Sequence, residues 1–200
     1  MPEANQKADQ MAGDMVLEPT PDPRWTLQEP GYSPIREAGL EARFAIGNGF
    51  LGVRGARAVS RGPVWMSWSQ GLSWASWPRM YVAGLFDVPN TEPPVPALVP
   101  APGWLRVRVS LDGRPLLLRH GMLLKHERTL DFRRGMLFSD WRQRDTLGRT
   151  ARVRTLRLVS LANRALGLQL VQLEIEHGKA EVTFEAVLEN PGPGLELVRM

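Results

Sequence analysis

Three pairs of acids stand at spacings that could bring two carboxyl groups to one reaction: Glu37 with Glu41, Glu127 with Asp131, and Asp140 with Asp145. Paired carboxyls divide general acid and base work in glycoside cleavage, where they stand about 5–5.5 Å apart for retention and about 6.5–9.5 Å for inversion. Each pair also has a plain structural reading as a cap, a turn residue or a partner for a neighbouring arginine. Glu37 and Glu41 are i, i+4 on a short predicted helix, and Asp140 and Asp145 flank a predicted hairpin. None of these spacings demands catalysis. His120, His126 and His177 lack metal-ligand spacing, and the chain has no cysteine to join them, so neither a metal nor a cofactor is expected. There is no G-x-S-x-G elbow and no P-loop. The sequence offers no complete set of catalytic residues.

Two further motifs could hold a ligand. Gly47-Asn48-Gly49-Phe50-Leu51-Gly52 matches the dinucleotide pattern G-x-G-x-x-G, but Val53-Arg54-Gly55 follows where a helix should open. No acid follows Glu41 until Asp87, so the ribose partner is missing too. A hairpin turning at Asn48-Gly49 is the better reading. Trp65, Trp68, Trp74 and Trp77 fall within 13 residues, among Ser67, Ser69, Gly71, Ser73 and Ser76. Indole faces can stack on pyranose rings while serines meet hydroxyls, although large aromatics more often anchor cores and interfaces. Arg54 and these four tryptophans are the candidate substrate-contacting residues.

The elements that must position them are strands. From Trp104, Leu105, Val107, Val109 and Leu111 alternate with Arg106, Arg108 and Ser110, and Asp112-Gly113 turns the chain toward a return strand at residues 116–118. Residues 136–144 and 150–161 form a second predicted hairpin around Thr146-Leu147-Gly148. In the latter strand Ala151, Val153 and Thr155 share one face and Leu156 and Leu158 the other, which suggests a bulge or a crossing between sheets. Residues 165–176 and 180–188 form a third predicted pair turning at His177-Gly178. Residues 87–103 hold six prolines and read as a long ordered loop, with a linker between two small domains as the alternative. Residues 1–24 read as a mobile tail, with residues 25–200 forming an antiparallel all-β sandwich, incomplete at its C-terminal end.

Composition limits the partners. A chain of 200 residues, 43% hydrophobic and 23% charged, has room for one ordinary domain or two very small ones and is expected to bury about 70% of its unfolded surface. No apolar run approaches the ~20 residues of a membrane span, and the N-terminus lacks a secretory apolar region, so a cytoplasmic chain without membrane partners is expected. Residues 101–170 carry fourteen arginines and Lys125 against five acids. That excess could bind a polyanion. Arg106, Arg108, Arg142, Arg144, Arg152 and Arg154 alternate with aliphatic neighbours, however, as the wet face of half-buried strands does. With no recognition helix and no aromatic RNA-binding strand, nucleic acid is not expected.

In these residues the chain resembles the N-terminal domain of glycoside hydrolase family 65, which holds maltose, trehalose and kojibiose phosphorylases and some α-glucoside hydrolases. The landmarks occur in the family's order. Trp25 leads into Arg43-Phe44, then Gly47-Asn48-Gly49-Phe50-Leu51-Gly52-Val53-Arg54-Gly55, then Tyr81-Val82-Ala83-Gly84-Leu85-Phe86-Asp87. Val99-Pro100 to Trp104, Val109-Ser110-Leu111-Asp112-Gly113, Leu130-Asp131-Phe132-Arg133-Arg134-Gly135 and Arg157-Leu158-Val159-Ser160-Leu161 follow. The resemblance implies a supersandwich of the galactose mutarotase-like kind, packed on an (α/α)6 barrel that carries the general acid and the phosphate or water site. By that implication the chain is the non-catalytic N-terminal domain, or a truncated fragment, of an inverting phosphorylase or hydrolase of disaccharides such as maltose or trehalose. It would be inactive alone, its partners the missing barrel and an α-glucoside disaccharide, with inorganic phosphate as co-substrate of a phosphorylase and a homodimer as one assembly. Ala56-Arg57-Ala58 stands where family phosphorylases often have an acidic pair, and the tryptophan-rich insert is not a general family feature. The alternative is a standalone carbohydrate-binding or protein-interaction module.

Overall fold

Strands form wherever the period of two persists, and their pairing decides what faces inward. The computed structural model describes residues 17–33, 35–59, 80–88, 93–118 and 122–189, and the tryptophan cluster at Trp65, Trp68, Trp74 and Trp77 lies outside them. Five strands, β1 (Thr26–Pro30), β8 (Leu123–Asp131), β9 (Met136–Arg144), β10 (Thr150–Val159) and β11 (Gly167–His177), form one antiparallel sheet in the order β1-β8-β9-β10-β11. Four shorter strands, β2 (Ile46–Gly47), β3 (Leu51–Val53), β4 (Met80–Asp87) and β5 (Ala97–Pro100), form a second sheet. A third joins β12 (Val182–Glu189), β6 (Gly103–Leu111) and β7 (Arg114–Pro115). The one α-helix among the described residues is α1 (Glu37–Arg43), as the Glu37/Glu41 spacing predicts.

The large sheet packs its inner face against the two smaller ones. At one end Leu130, Leu137 and Val159 meet Leu40, Phe44, Leu51 and Val53. At the other, Trp141, Ala151 and Val153 meet Val59, Val109, Leu111 and Leu116. Between these apolar clusters the register sets Arg128, Ser139 and Thr155 side by side on that face, with the two hydroxyls 2.7 Å apart. The architecture is an antiparallel all-β sandwich whose interior is divided by a polar row.

Most expected turns are present. Asn48 closes the β2–β3 hairpin: its Oδ1 accepts from the amides of Phe50 and Leu51, its Nδ2 donates to the Ser160 and Arg164 carbonyls, and Gly49 takes φ +81°. Asp112 and Gly113 both have positive φ, 49° and 71°, the primed-turn conformation that matches strand twist. The return strand β7 is only two residues long, but the chain runs on beside β6, with the Leu116 amide donating to the Val109 carbonyl.

Four expectations need correction. Residues 165–176 and 180–188 do not pair: β11 joins β10, whereas β12 crosses to β6. The His177-Gly178 turn, with Gly178 at φ +88°, moves the chain between sheets, where Val182 packs against the cluster of Val109 and Leu111. The strand β10 has no bulge from Ala151 to Val159, so Leu156 and Leu158 face outward and Arg157, in phase with Val153 and Thr155, points into the core. Within the proline-rich stretch, residues 97–100 are the edge strand β5, where Pro100 can sit without a ladder donor. The chain is also already packed from Leu17, which is buried, and the Thr20 amide donates to the Asp131 carboxylate at 2.8 Å.

Candidate functional site

Helical spacing puts Glu37 and Glu41 on the same face of α1, and that face lies over the polar row of the large sheet. Both are enclosed, at 1% and 3% exposure, so their charges need partners on the spot. Glu37 Oε1 accepts from Arg128 Nη2 at 2.7 Å and lies 3.4 Å from Arg57 Nε. The Arg128 guanidinium, itself 2% exposed, also stands 5.7 Å from the centre of the Phe44 ring. Arg57 stacks on Tyr32 at 4.6 Å, and the Tyr32 ring lies 5.7 Å from that of His126.

Gly55 makes this arrangement reachable. A Cβ there would meet Phe44 backbone and side-chain atoms at 2.6–2.8 Å, so only glycine lets the chain cross the end of α1 this closely. The Gly55 amide donates to the Glu41 carbonyl, and Arg54, just before it, and Arg57, two residues after it, are delivered to the two glutamates. Arg54 Nη2 donates to the Ala38 carbonyl at 2.9 Å, while its Nε stands 3.7 Å from Glu41 Oε2. Arg157 holds the same segment from below, donating from Nη1 to the Arg54 carbonyl at 2.9 Å and from Nε and Nη2 to Gln169 Oε1. Gln169 in turn donates to the Leu105 carbonyl at 2.6 Å.

The electrostatics follow from enclosure. Burial, then repulsion by Glu37, pushes the Glu41 carboxyl up to about 7, against the pull of Arg54. Burial, then Arg128, draws His126 down to about 4. Neutral His126 donates from Nδ1 to the Gly31 carbonyl, which leaves Nε2 as an acceptor. Burial lowers Arg157 to about 10, so it remains charged at neutral pH. Glu37 Oε2, His126 Nε2 and Arg128 Nη1 have no hydrogen-bond partner among the described residues.

Glu41 has a proton affinity suited to acid–base work near neutrality, but it faces Arg54 inside a closed network, and Glu37 is held by two guanidiniums. The other acid pairs are structural. Asp140 accepts from Lys125 and Arg152, and Asp145 closes its turn by accepting from the Leu147 and Arg149 amides. Burial raises the Asp131 carboxyl, yet the Thr20 and Arg134 bonds outweigh it and hold it well below the usual carboxylate range. Of the expected substrate contacts, the described residues include Arg54, whose side chain is 31% exposed and so the open end of the network. Sequence reasoning missed Arg128, Arg157 and His126 as members. Arg157 shares the phase of Ala151 and Val153, a signal that could have found it, whereas β8 is buried on both faces at Arg128 and its pattern has no phase to read.

Removing one partner of a buried ion pair typically costs about 3–5 kcal/mol, while replacing both by apolar groups is nearly neutral. Arg128→Met should therefore lower the urea midpoint by an amount worth about 3–5 kcal/mol, with Arg128→Met/Glu37→Leu recovering most of it. A single-mutant loss below about 1 kcal/mol would show the pair to be solvated. Stability should also depend on pH in two opposed arms. Glu41 has its carboxyl raised from 4.5 to about 7, so its contribution is full below 4.5 and lost as pH rises toward 7, by up to about 3 kcal/mol. His126 is lowered from 6.5 to about 4, so its contribution is full above 6.5 and lost as pH falls toward 4. Urea melts across this range should lose the first arm in Glu41→Gln and the second in His126→Phe.

Residues 27–192 match the model for the glycosyl hydrolase family 65 N-terminal domain. An uncharacterized glycosyl hydrolase of Mycobacterium tuberculosis is 30% identical over 186 residues, covering 90% of this chain and 13% of the relative. The kojibiose phosphorylase of Caldanaerobacter subterraneus subsp. tengcongensis is 28% identical over 143 residues, covering 72% of this chain and 17% of the enzyme. A solved structure of a candidate kojibiose phosphorylase from the human microbiome superposes with a TM-score of 0.62 at 14% identity, covering 78% of this chain and 20% of that one, which shows the fold. The chain therefore spans between 13% and 20% of the length of these relatives. Its ordered glycine and arginine landmarks, its antiparallel sandwich and the family match agree: the chain belongs to glycoside hydrolase family 65, as an N-terminal domain.

Proposed function

We propose that this domain supports the catalytic barrel of an inverting α-glucoside phosphorylase and takes no part in bond cleavage itself. The observation that carries the reading is Arg54, a guanidinium about one-third exposed and held by the Ala38 carbonyl and Glu41, with its own carbonyl held by Arg157. So many fixed contacts hold a donor fork still at the surface, as presentation to a sugar hydroxyl or a phosphate oxygen requires. The same segment leads on to Trp65, Trp68, Trp74 and Trp77, and together these residues would wall one side of a disaccharide pocket whose acid and phosphate site belong to the barrel. The names of the kojibiose phosphorylase relatives support phosphorolysis of an α-linked glucose disaccharide, with inorganic phosphate as co-substrate. Exposed Leu166, Leu168, Phe184 and Leu188, on or beside β11 and β12, support a large covering partner: the barrel, or a second copy in a homodimer.

Arg54→Lys keeps a charge near Glu41 but cannot reproduce the planar fork. In the full-length enzyme carrying this domain it should lower kcat/KM for disaccharide phosphorolysis about tenfold or more, with the melting temperature little changed. Unchanged kinetics would remove Arg54 from the pocket. Phosphate-dependent turnover of kojibiose, maltose or trehalose by the 200-residue chain alone would overturn the non-catalytic reading.

A further inference from the structure

The outer face of the five-stranded sheet holds a cleft that the proposed function does not use. Residues 17–21 strap across it, tied down by Thr20 to Asp131 and by Arg134 Nη2 to the Glu18 carbonyl. The space beneath is about 340 Å³, at the lower end of the range for small-molecule sites. Its floor is the buried pair Phe138 and Thr129. Its rim is Gln28, Lys125, Glu127, Asp140, Arg152 and Arg154, with register setting Glu127, Asp140 and Arg154 side by side.

The charges in this lining cancel. Lys125, Arg152 and Arg154 stand against Glu18, Glu127 and Asp140. Lys125 and Arg152 both reach Asp140 at 2.9 Å, and Lys125 reaches Glu127 at 3.2 Å. An anion entering here meets as many carboxylates as cations, and an apolar ligand would strip water from donors it cannot satisfy. Among the described residues Arg154 and Gln28 make no side-chain hydrogen bond or ion pair, so a guanidinium fork and an amide remain open to a ligand. Planar groups of this kind match adjacent hydroxyls two at a time, the guanidinium donating, carboxylates accepting and the amide doing both.

We propose that this cleft is a binding site for a neutral, polyhydroxylated ligand. The choice of an α-linked gluco-oligosaccharide within that class rests on the functional reading above; the cleft itself does not. Binding is weak, about millimolar, because the rim charges are already paired and must share their contacts with the sugar.

The test is an NMR titration of the full 200-residue chain with maltotriose, and separately with inorganic phosphate. Maltotriose should shift the amides of Gln28, Asp140 and Arg154, with phosphate leaving them in place. Arg154→Leu should weaken binding about tenfold, the loss of one charge-assisted contact, while Arg144→Leu, outside the cleft, leaves it unchanged. If Arg154→Leu fails to fold, Gln28→Ala takes its place, with a severalfold loss expected. No shift at these amides, a response to phosphate alone, or wild-type binding by both cleft variants would overturn the proposal. A null kinetic result at Arg54 would instead overturn the functional reading and leave this titration standing.

Discussion

A guanidinium inside a protein has to have its charge met where it stands, and Arg128 imposes that requirement on the whole sandwich. It projects from β8 into the gap between two apolar clusters, with 2% of its surface exposed, and donates to Glu37 Oε1 at 2.7 Å. Left unpaired it would cost several kcal/mol, so α1 must lie over this row of the sheet and no other. That placement carries Glu41 inward beside Glu37, where one carboxylate makes the other harder to ionise, and it draws Arg57 and Arg54 in over Gly55. The apolar clusters supply most of the burial energy, but burial has no direction. The polar row supplies the register.

How far this could be read from the sequence depended on the range of the deciding interaction. The hairpins at Asn48-Gly49, Asp112-Gly113 and residues 146–148 are local in origin and were legible, as was the short helix carrying Glu37 and Glu41. The fate of β12 was not. A local turn and two adjacent strand patterns describe a hairpin equally well, and the crossover depends on pairing with β6, about 70 residues away in sequence. Arg157 was hidden for a related reason: arginine normally marks a wet face, and its true environment depends on Gln169 and the Arg54 carbonyl, 12 and 103 residues away. The locked geometry of Arg54, set by the Ala38 carbonyl and Glu41, was not legible either.

The arginine surplus resolves along the same lines. Arg106, Arg108, Arg142, Arg144, Arg152 and Arg154 all lie outside the buried set, as their alternation predicts. Across neighbouring strands Arg108 meets Glu185, Arg142 meets Glu176 and Arg152 meets Asp140. Glu176 and Glu185 lie outside residues 101–170, so acids on adjacent strands answer part of the positive excess there and leave the outer faces mixed in sign. A mixed face suits contact with another protein surface or with hydroxyl-rich ligands better than contact with a polyanion.

Arginines, paired with a carboxylate and an amide, form the dry middle layer of this sandwich. Proton exchange at the guanidinium Nε–H groups, followed by NMR on the intact chain at neutral pH, tests it directly. Arg128 and Arg157 should give resolved, slowly exchanging signals, beside fast exchange at exposed Arg144. Exchange at Arg128 and Arg157 as rapid as at Arg144 would mean that water reaches the layer, and the account would fail.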